Sequence, residues 1–108
     1  MAFSKKELFT EDEIWLSDAA KALAHPARIK ILQILTEMNS CMVGNIVELL
    51  PLSQSTVSQH LKELKTAGFI EGSIDGPKVC YCVNNKTLNK FKSEIDKLLN
   101  KIGCCWLS

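Results

Sequence analysis

Apolar residues recur along this chain with two different periods, and the places where the period changes divide it into helical segments and one hairpin. Trp15, Ala19, Ala22 and Leu23 fall on one face at helical spacing, behind Thr10 and Glu13, whose three-residue separation is a capping-box pattern. The spacing predicts a first helix over about Glu11–Ala24. His25-Pro26 ends it, because a residue before proline is pushed out of the α region while proline suits the first turn of a following helix. A second helix then carries Arg28 at its polar start and Ile31, Leu32 and Leu35 as its apolar stripe. After a polar connection over Met38–Met42, the residues Val43, Ile46, Val47 and Leu50 form a short third stripe that Pro51 terminates.

Ser53 is placed to cap a fourth helix over about Gln54–Thr66, in which Val57, Leu61 and Leu64 recur up to an Ala67-Gly68 stop. From Phe69 the helical period is lost. Phe69–Ile74 and Lys78–Val83 flank Asp75-Gly76-Pro77 and read as a β-hairpin, which Asn84-Asn85 ends. Leu88, Phe91, Ile95, Leu98, Leu99 and Ile102 then mark a last amphipathic helix that Gly103 is expected to close. The expected order is α-α-α-α-β-β-α, mainly α with a β-hairpin wing. A short helix joined to a longer one through the tight Pro51-Leu52-Ser53 turn makes this a winged helix-turn-helix arrangement.

Composition fits a single domain over residues 1–108: 46% of the chain is hydrophobic and 23% charged, enough apolar material for a core. No run of 18 apolar residues occurs, and Met1–Thr10 lacks the apolar stretch of a signal peptide, so the expected location is the cytoplasm with no membrane partner. Net charge is only +1, but its distribution is uneven. Met1–Ala24 is acidic on balance, whereas Leu52–Lys92 holds six lysines against three acids and is where a polyanion would bind. The five cysteines, Cys41, Cys80, Cys82, Cys104 and Cys105, are an odd number that a reducing compartment would keep as thiols. That leaves soft-metal binding or redox sensing, beside the plainer role of small buried hydrophobes.

At 100° per residue, the face of the fourth helix opposite Val57, Leu61 and Leu64 carries Ser55, Thr56, Gln59, Lys62, Glu63 and Thr66. Any solvated helix face is polar. Yet Ser53, Ser55, Thr56 and Ser58 are poor helix formers, so helix stability does not account for them. Ser, Thr and Gln can donate to and accept from base edges and phosphates, and the helix start favours a phosphate. The candidate DNA contacts are therefore Ser53, Gln54, Ser55, Thr56, Ser58 and Gln59, with Lys62 and Lys65 on phosphates and Lys78 reaching one from the wing. His60 lies at the margin of the core face and reads as a packed or surface histidine. No glycine-rich phosphate loop, metal-spaced His/Glu pair or Ser/His/Asp set points to an enzyme.

The stretches Ala22–Leu32, Leu52–Leu64 and Gly68–Ile70, with Gly76–Tyr81, together resemble the ArsR/SmtB family of winged-helix repressors. The resemblance implies a homodimer built on the first and last helices, bound to double-stranded operator DNA and released by an inducer. Those two helices do carry more large apolar residues than one small domain needs. Sensors of that family place a Cys-x-Cys before the recognition helix, where this chain has Cys41 alone, and the family's zinc site on the last helix needs a histidine that residues 86–103 lack. Cys80 with Cys82 and Cys104 with Cys105, with Cys41 as a weaker third contributor, suit instead a thiophilic inducer such as As(III) or Cd(II); no other cofactor is required. A thiol redox or persulfide sensor pairing Cys41 with a cysteine near the last helix is the alternative, and a winged-helix protein-interaction module without an inducer site is the other.

Overall fold

Thr10 and Glu13 close their capping box in both directions: the Thr10 N–H donates to Glu13 Oε1 at 2.8 Å and the Glu13 N–H donates to Thr10 Oγ1 at 3.1 Å. With Glu11, Asp12 and Glu13 facing the positive end of the helix dipole, this start holds α1 (Glu11–Leu23). The computed structural model describes residues 8–38, 50–75 and 78–106, with side chains over 8–37, 50–72 and 81–102. The expected short helix over 43–50 falls almost wholly outside the described residues, as does the side chain of Lys78.

Ala24 caps α1 and the chain turns at His25, whose Nδ1 accepts the Ala27 N–H at 3.1 Å while its carbonyl accepts from Arg28 and Ile29. Pro26 opens α2 (Pro26–Met38), where its missing N–H costs nothing. Ile31, Ile34 and Leu35 point inward from α2. Ser53 Oγ accepts the Thr56 N–H and begins α3 (Gln54–Thr66), whose Val57, His60, Leu61 and Leu64 are buried.

A tight cap ends α3. Gly68, at φ +89°, lets its own N–H donate to Lys65 O and the Phe69 N–H donate to Leu64 O, each at 3.0 Å. This is a Schellman end, and Phe69 and Leu64, both fully buried, supply its hydrophobic contact. A side chain at Gly68 would combine an unfavourable left-handed backbone with a Cβ 3.3 Å from Thr87 Oγ1. Gly68→Ala is expected to cost about 1–2 kcal/mol of stability, measured by urea unfolding.

β1 (Ile70–Asp75) and β2 (Lys78–Val83) pair antiparallel, with Ile70 opposite Val83, Gly72 opposite Tyr81 and Asp75 opposite Lys78. The strand extends one residue further into the turn than the sequence spacing indicates. Asn84 joins hairpin to helix: its N–H donates to Phe69 O at 2.8 Å, its Nδ2 donates to Glu71 Oε1, and its Oδ1 caps the N–H groups of Lys86 and Thr87. From there α4 (Asn85–Trp106) runs for 22 residues, about 33 Å. It passes through Gly103, so the backbone of Cys104 and Cys105 is helical rather than the tail expected beyond a glycine stop. One interior glycine costs a helix only about 1 kcal/mol, which a long helix absorbs.

The core lies where the helices meet the hairpin. Ala19 and Ala22 of α1, the α2 stripe, Leu50, the inner face of α3, Phe69 and Ile70 form one cluster, against which Trp15, Leu23, Tyr81, Val83, Leu88 and Phe91 pack. Phe69 and Phe91 meet edge to face at 5.8 Å. On the outside, Lys90 Nζ stands 4.3 Å from the centre of the Trp15 ring and links α4 to α1. Among the described residues no helix is long and apolar enough to cross a membrane.

Candidate nucleic-acid interface

The two faces of α3 separate by chemistry. Val57, His60, Leu61 and Leu64 are buried, while Ser53, Gln54, Ser55, Thr56, Ser58, Gln59, Lys62 and Lys65 are all exposed, so each predicted contact on this helix stands on its solvent side. The hydroxyls gather at the N-terminus, where Ser53 Oγ lies 2.9 Å from Thr56 Oγ1 and 3.2 Å from Ser55 Oγ. Free backbone N–H groups, the positive dipole end and three hydroxyls converge there, an arrangement suited to a phosphate oxygen.

Further along, Gln59 Nε2 donates to Glu63 Oε1 at 3.0 Å, one helical turn on. This bond orients the Gln59 amide, leaving its carbonyl oxygen and second amide hydrogen for an adenine edge. Glu63 is half-buried, so it serves as the partner of Gln59 rather than as a freely solvated acid. Lys65 Nζ sits 6.0 Å from the centre of the Tyr81 ring in β2, which brings this lysine to the junction of recognition helix and wing. Lys78 is paired through its backbone with Asp75 at the wing tip.

Sequence spacing placed His60 only at the margin of the core. It is 7% exposed, and Arg28 Nε donates to its Nδ1 at 3.1 Å while Arg28 Nη1 donates to Ala22 O at 3.2 Å. His25 lies against it, ring centres 4.3 Å apart. The His60 imidazole titrates below the ordinary histidine range, first because burial penalises its charged form, then because His25 and Arg28 bring positive charge. The signal was present in the spacing, since His60 is three residues after Val57 and four before Leu64. Its partner, 32 residues away in sequence, was not.

The cysteines are arranged differently from the set the sequence suggested. Cys82 is partly buried, opposite Glu71 in the hairpin, and is disulfide-bonded. A thiolate role for it therefore requires prior reduction. Cys104 lies about 28 Å along α4 from the helix start beside the wing, so within one chain the Cys80/Cys82 and Cys104/Cys105 pairs are two separate places. Cys41 and the side chains of Cys80, Cys104 and Cys105 lie outside the described residues. Among the described residues no three His, Cys, Asp or Glu side chains stand together as a metal site.

Comparison with known proteins agrees with this architecture. Residues 25–71, from the α1–α2 corner through α3 into β1, match the family model described as bacterial regulatory protein, arsR family. The chain is 35% identical to the transcriptional repressor PagR of Bacillus anthracis over 80% of this chain and 82% of that protein. It is 31% identical to the cadmium resistance transcriptional regulatory protein CadC of Listeria innocua over 85% and 83%. Among solved structures, a possible transcriptional regulator for arsenical resistance superposes with a TM-score of 0.68 at 29% identity, over 76% of this chain and 84% of that one. With an outward polar helix, a hairpin beside it and relatives all of one kind, the chain belongs to the ArsR family and is a DNA-binding transcriptional repressor of winged helix-turn-helix fold.

Proposed function

We propose that this repressor works in the cytoplasm as a homodimer, sets its two α3 helices on an operator, and lets go when a thiophilic inducer reaches its cysteines. The observation that carries the DNA surface is the segregation of α3, with its apolar residues and His60 inward and an unbroken polar face outward beside the wing. Ser55, Thr56 and Gln59 read bases. Ser53, Gln54, Ser58, Lys62, Lys65 and Lys78 engage the backbone.

The dimer is supported by apolar side chains that one chain leaves in water. Leu98, Leu99 and Ile102 of α4 are 44%, 56% and 49% exposed, and Leu8 and Phe9 are similarly open. For the inducer, once the Cys82 disulfide is reduced, As(III) or Cd(II) fits the supply of thiols at Cys41, Cys80, Cys82, Cys104 and Cys105, and the names of the cadmium- and arsenic-resistance relatives point the same way. The Cys82 disulfide favours a second reading, in which two thiols are oxidised to a disulfide and their two electrons pass to a peroxide or persulfide.

Fluorescence anisotropy of the reduced protein on duplex DNA from upstream of its own gene tests these readings together. Tight binding that weakens steeply with salt is expected. Release by arsenite, lost in Cys104→Ser/Cys105→Ser at unchanged affinity, supports the metalloid reading with the inducer site on α4. Release by peroxide alone, reversed by a dithiol, supports the oxidative one, and absence of binding at low salt rejects the DNA surface.

A further inference from the structure

The α1–α2 corner holds α3 through one short polar chain. Arg28 spans from the last turn of α1 to the inner face of the recognition helix, with its Nη1 on Ala22 O at 3.2 Å and its Nε on His60 Nδ1 at 3.1 Å. The imidazole receiving it is buried among apolar neighbours, Val57, Leu61 and Leu64 of the same helix. Because Arg28 donates and cannot accept, His60 must present a bare Nδ1 and carry its proton on Nε2. His25 tilts against the same ring at 51° while its own Nδ1 accepts the Ala27 N–H, so the turn that opens α2 is tied to the contact.

We propose that Arg28 is a positioning residue for the recognition helix, acting through a neutral His60, and that DNA affinity falls when this imidazole takes up a proton. The inference rests on α3 being the DNA-reading helix. A proton from solvent on Nδ1 places an N–H against the Arg28 N–H and a second cation beside the guanidinium. The contact opens, and α3 loses its fixed angle to α1 and α2. Its exposed side chains then no longer meet bases and phosphates in one register, and a misplacement of even a fraction of a hydrogen-bond length weakens several contacts together.

The other charged groups at this junction oppose one another. Asp18 and Lys21 of α1 and Glu63 of α3 line, with Arg28, a crevice of about 430 Å³, and His25 faces His60 from the corner. Burial, His25 and Arg28 all favour the neutral imidazole. With the folded value below the unfolded one, the stability this contact contributes is fully present above the ordinary histidine value of about 6.5 and is lost as pH falls from there toward the lower folded value.

The test uses the full chain, reduced, and a duplex selected by the unsubstituted protein from a random-sequence pool at pH 8. Affinity is followed from pH 8 to about 5.5 at constant ionic strength, beside NMR titration of each imidazole. The unsubstituted protein is expected to weaken by roughly ten-fold, with a midpoint that coincides with protonation of His60 and not of His25. His60→Asn, whose Oδ1 stands where Nδ1 stood and does not titrate, is expected to bind well with a flat profile. Arg28→Met is expected to bind weakly even at pH 8. The proposal is overturned if His60→Asn keeps the unsubstituted pH dependence, or if the affinity midpoint departs from the His60 titration. Should a variant fail to fold, that second comparison decides alone, since it needs only the unsubstituted protein. Failure to select any duplex rejects the DNA role of α3, and this inference with it.

Discussion

Phe69→Ala is expected to lower the unfolding free energy by about 3–5 kcal/mol, a large part of the roughly 5–15 kcal/mol that holds a domain together. The residue is fully buried, meets Phe91 edge to face, and supplies the apolar contact of the Schellman cap that ends α3. Its backbone N–H reaches back to Leu64 and its carbonyl holds the Asn84 N–H, so three elements converge on one ring. Replacing it leaves a cavity where recognition helix, wing and α4 meet. Urea denaturation checks this: the midpoint should fall sharply with the slope unchanged, and a loss below about 1 kcal/mol would show that the cluster is not built around this side chain.

Leu99→Glu with Ile102→Glu is expected to leave the folded chain nearly as stable as before and to abolish the proposed dimer. Both side chains are about half exposed in one chain, so an acid there desolvates little in the monomer. In an apolar interface each would bury an unpaired charge, which costs far more than such an interface can offset. A monomer engages one half-site at a time, so affinity for a duplex with two half-sites should fall by about 10²-fold or more, while affinity for a single half-site stays the same. Light scattering and anisotropy on the two duplexes check both parts. Retention of the dimer by the doubly substituted protein would place its interface elsewhere.

Much of this architecture is written in local signals. The Thr10/Glu13 box, the Ser53 cap and the Gly68 stop each depend on residues within one or two turns, and each appears in the structure where spacing predicts it. The outward face of α3 follows from the 100° phase and an apolar stripe. Gly103 was misleading because a glycine stops a helix only where the backbone goes left-handed, as Gly68 does. What spacing could not supply is contact across the chain. Arg28 finds His60 because α2 crosses α3, and Lys65 finds Tyr81 because of the hairpin register. The cysteines follow the same logic: the period placed Cys80 and Cys82 in one strand, but not the bond that engages Cys82.

The length and seating of α4 set how motion passes through this molecule. Its first residues are clamped to the hairpin through Asn84, its second turn rests on Trp15 and Phe69, and its far half carries the open Leu98, Leu99 and Ile102. The helix is continuous over all 22 residues. A tilt of about 5° applied at one end of some 30 Å displaces the other by roughly 2.6 Å, close to the length of a hydrogen bond. Whatever grips the distal turns therefore holds the long arm of a lever whose short arm reaches the wing, and a displacement of that size at the far end tilts the whole helix about its seat on Trp15 and Phe69.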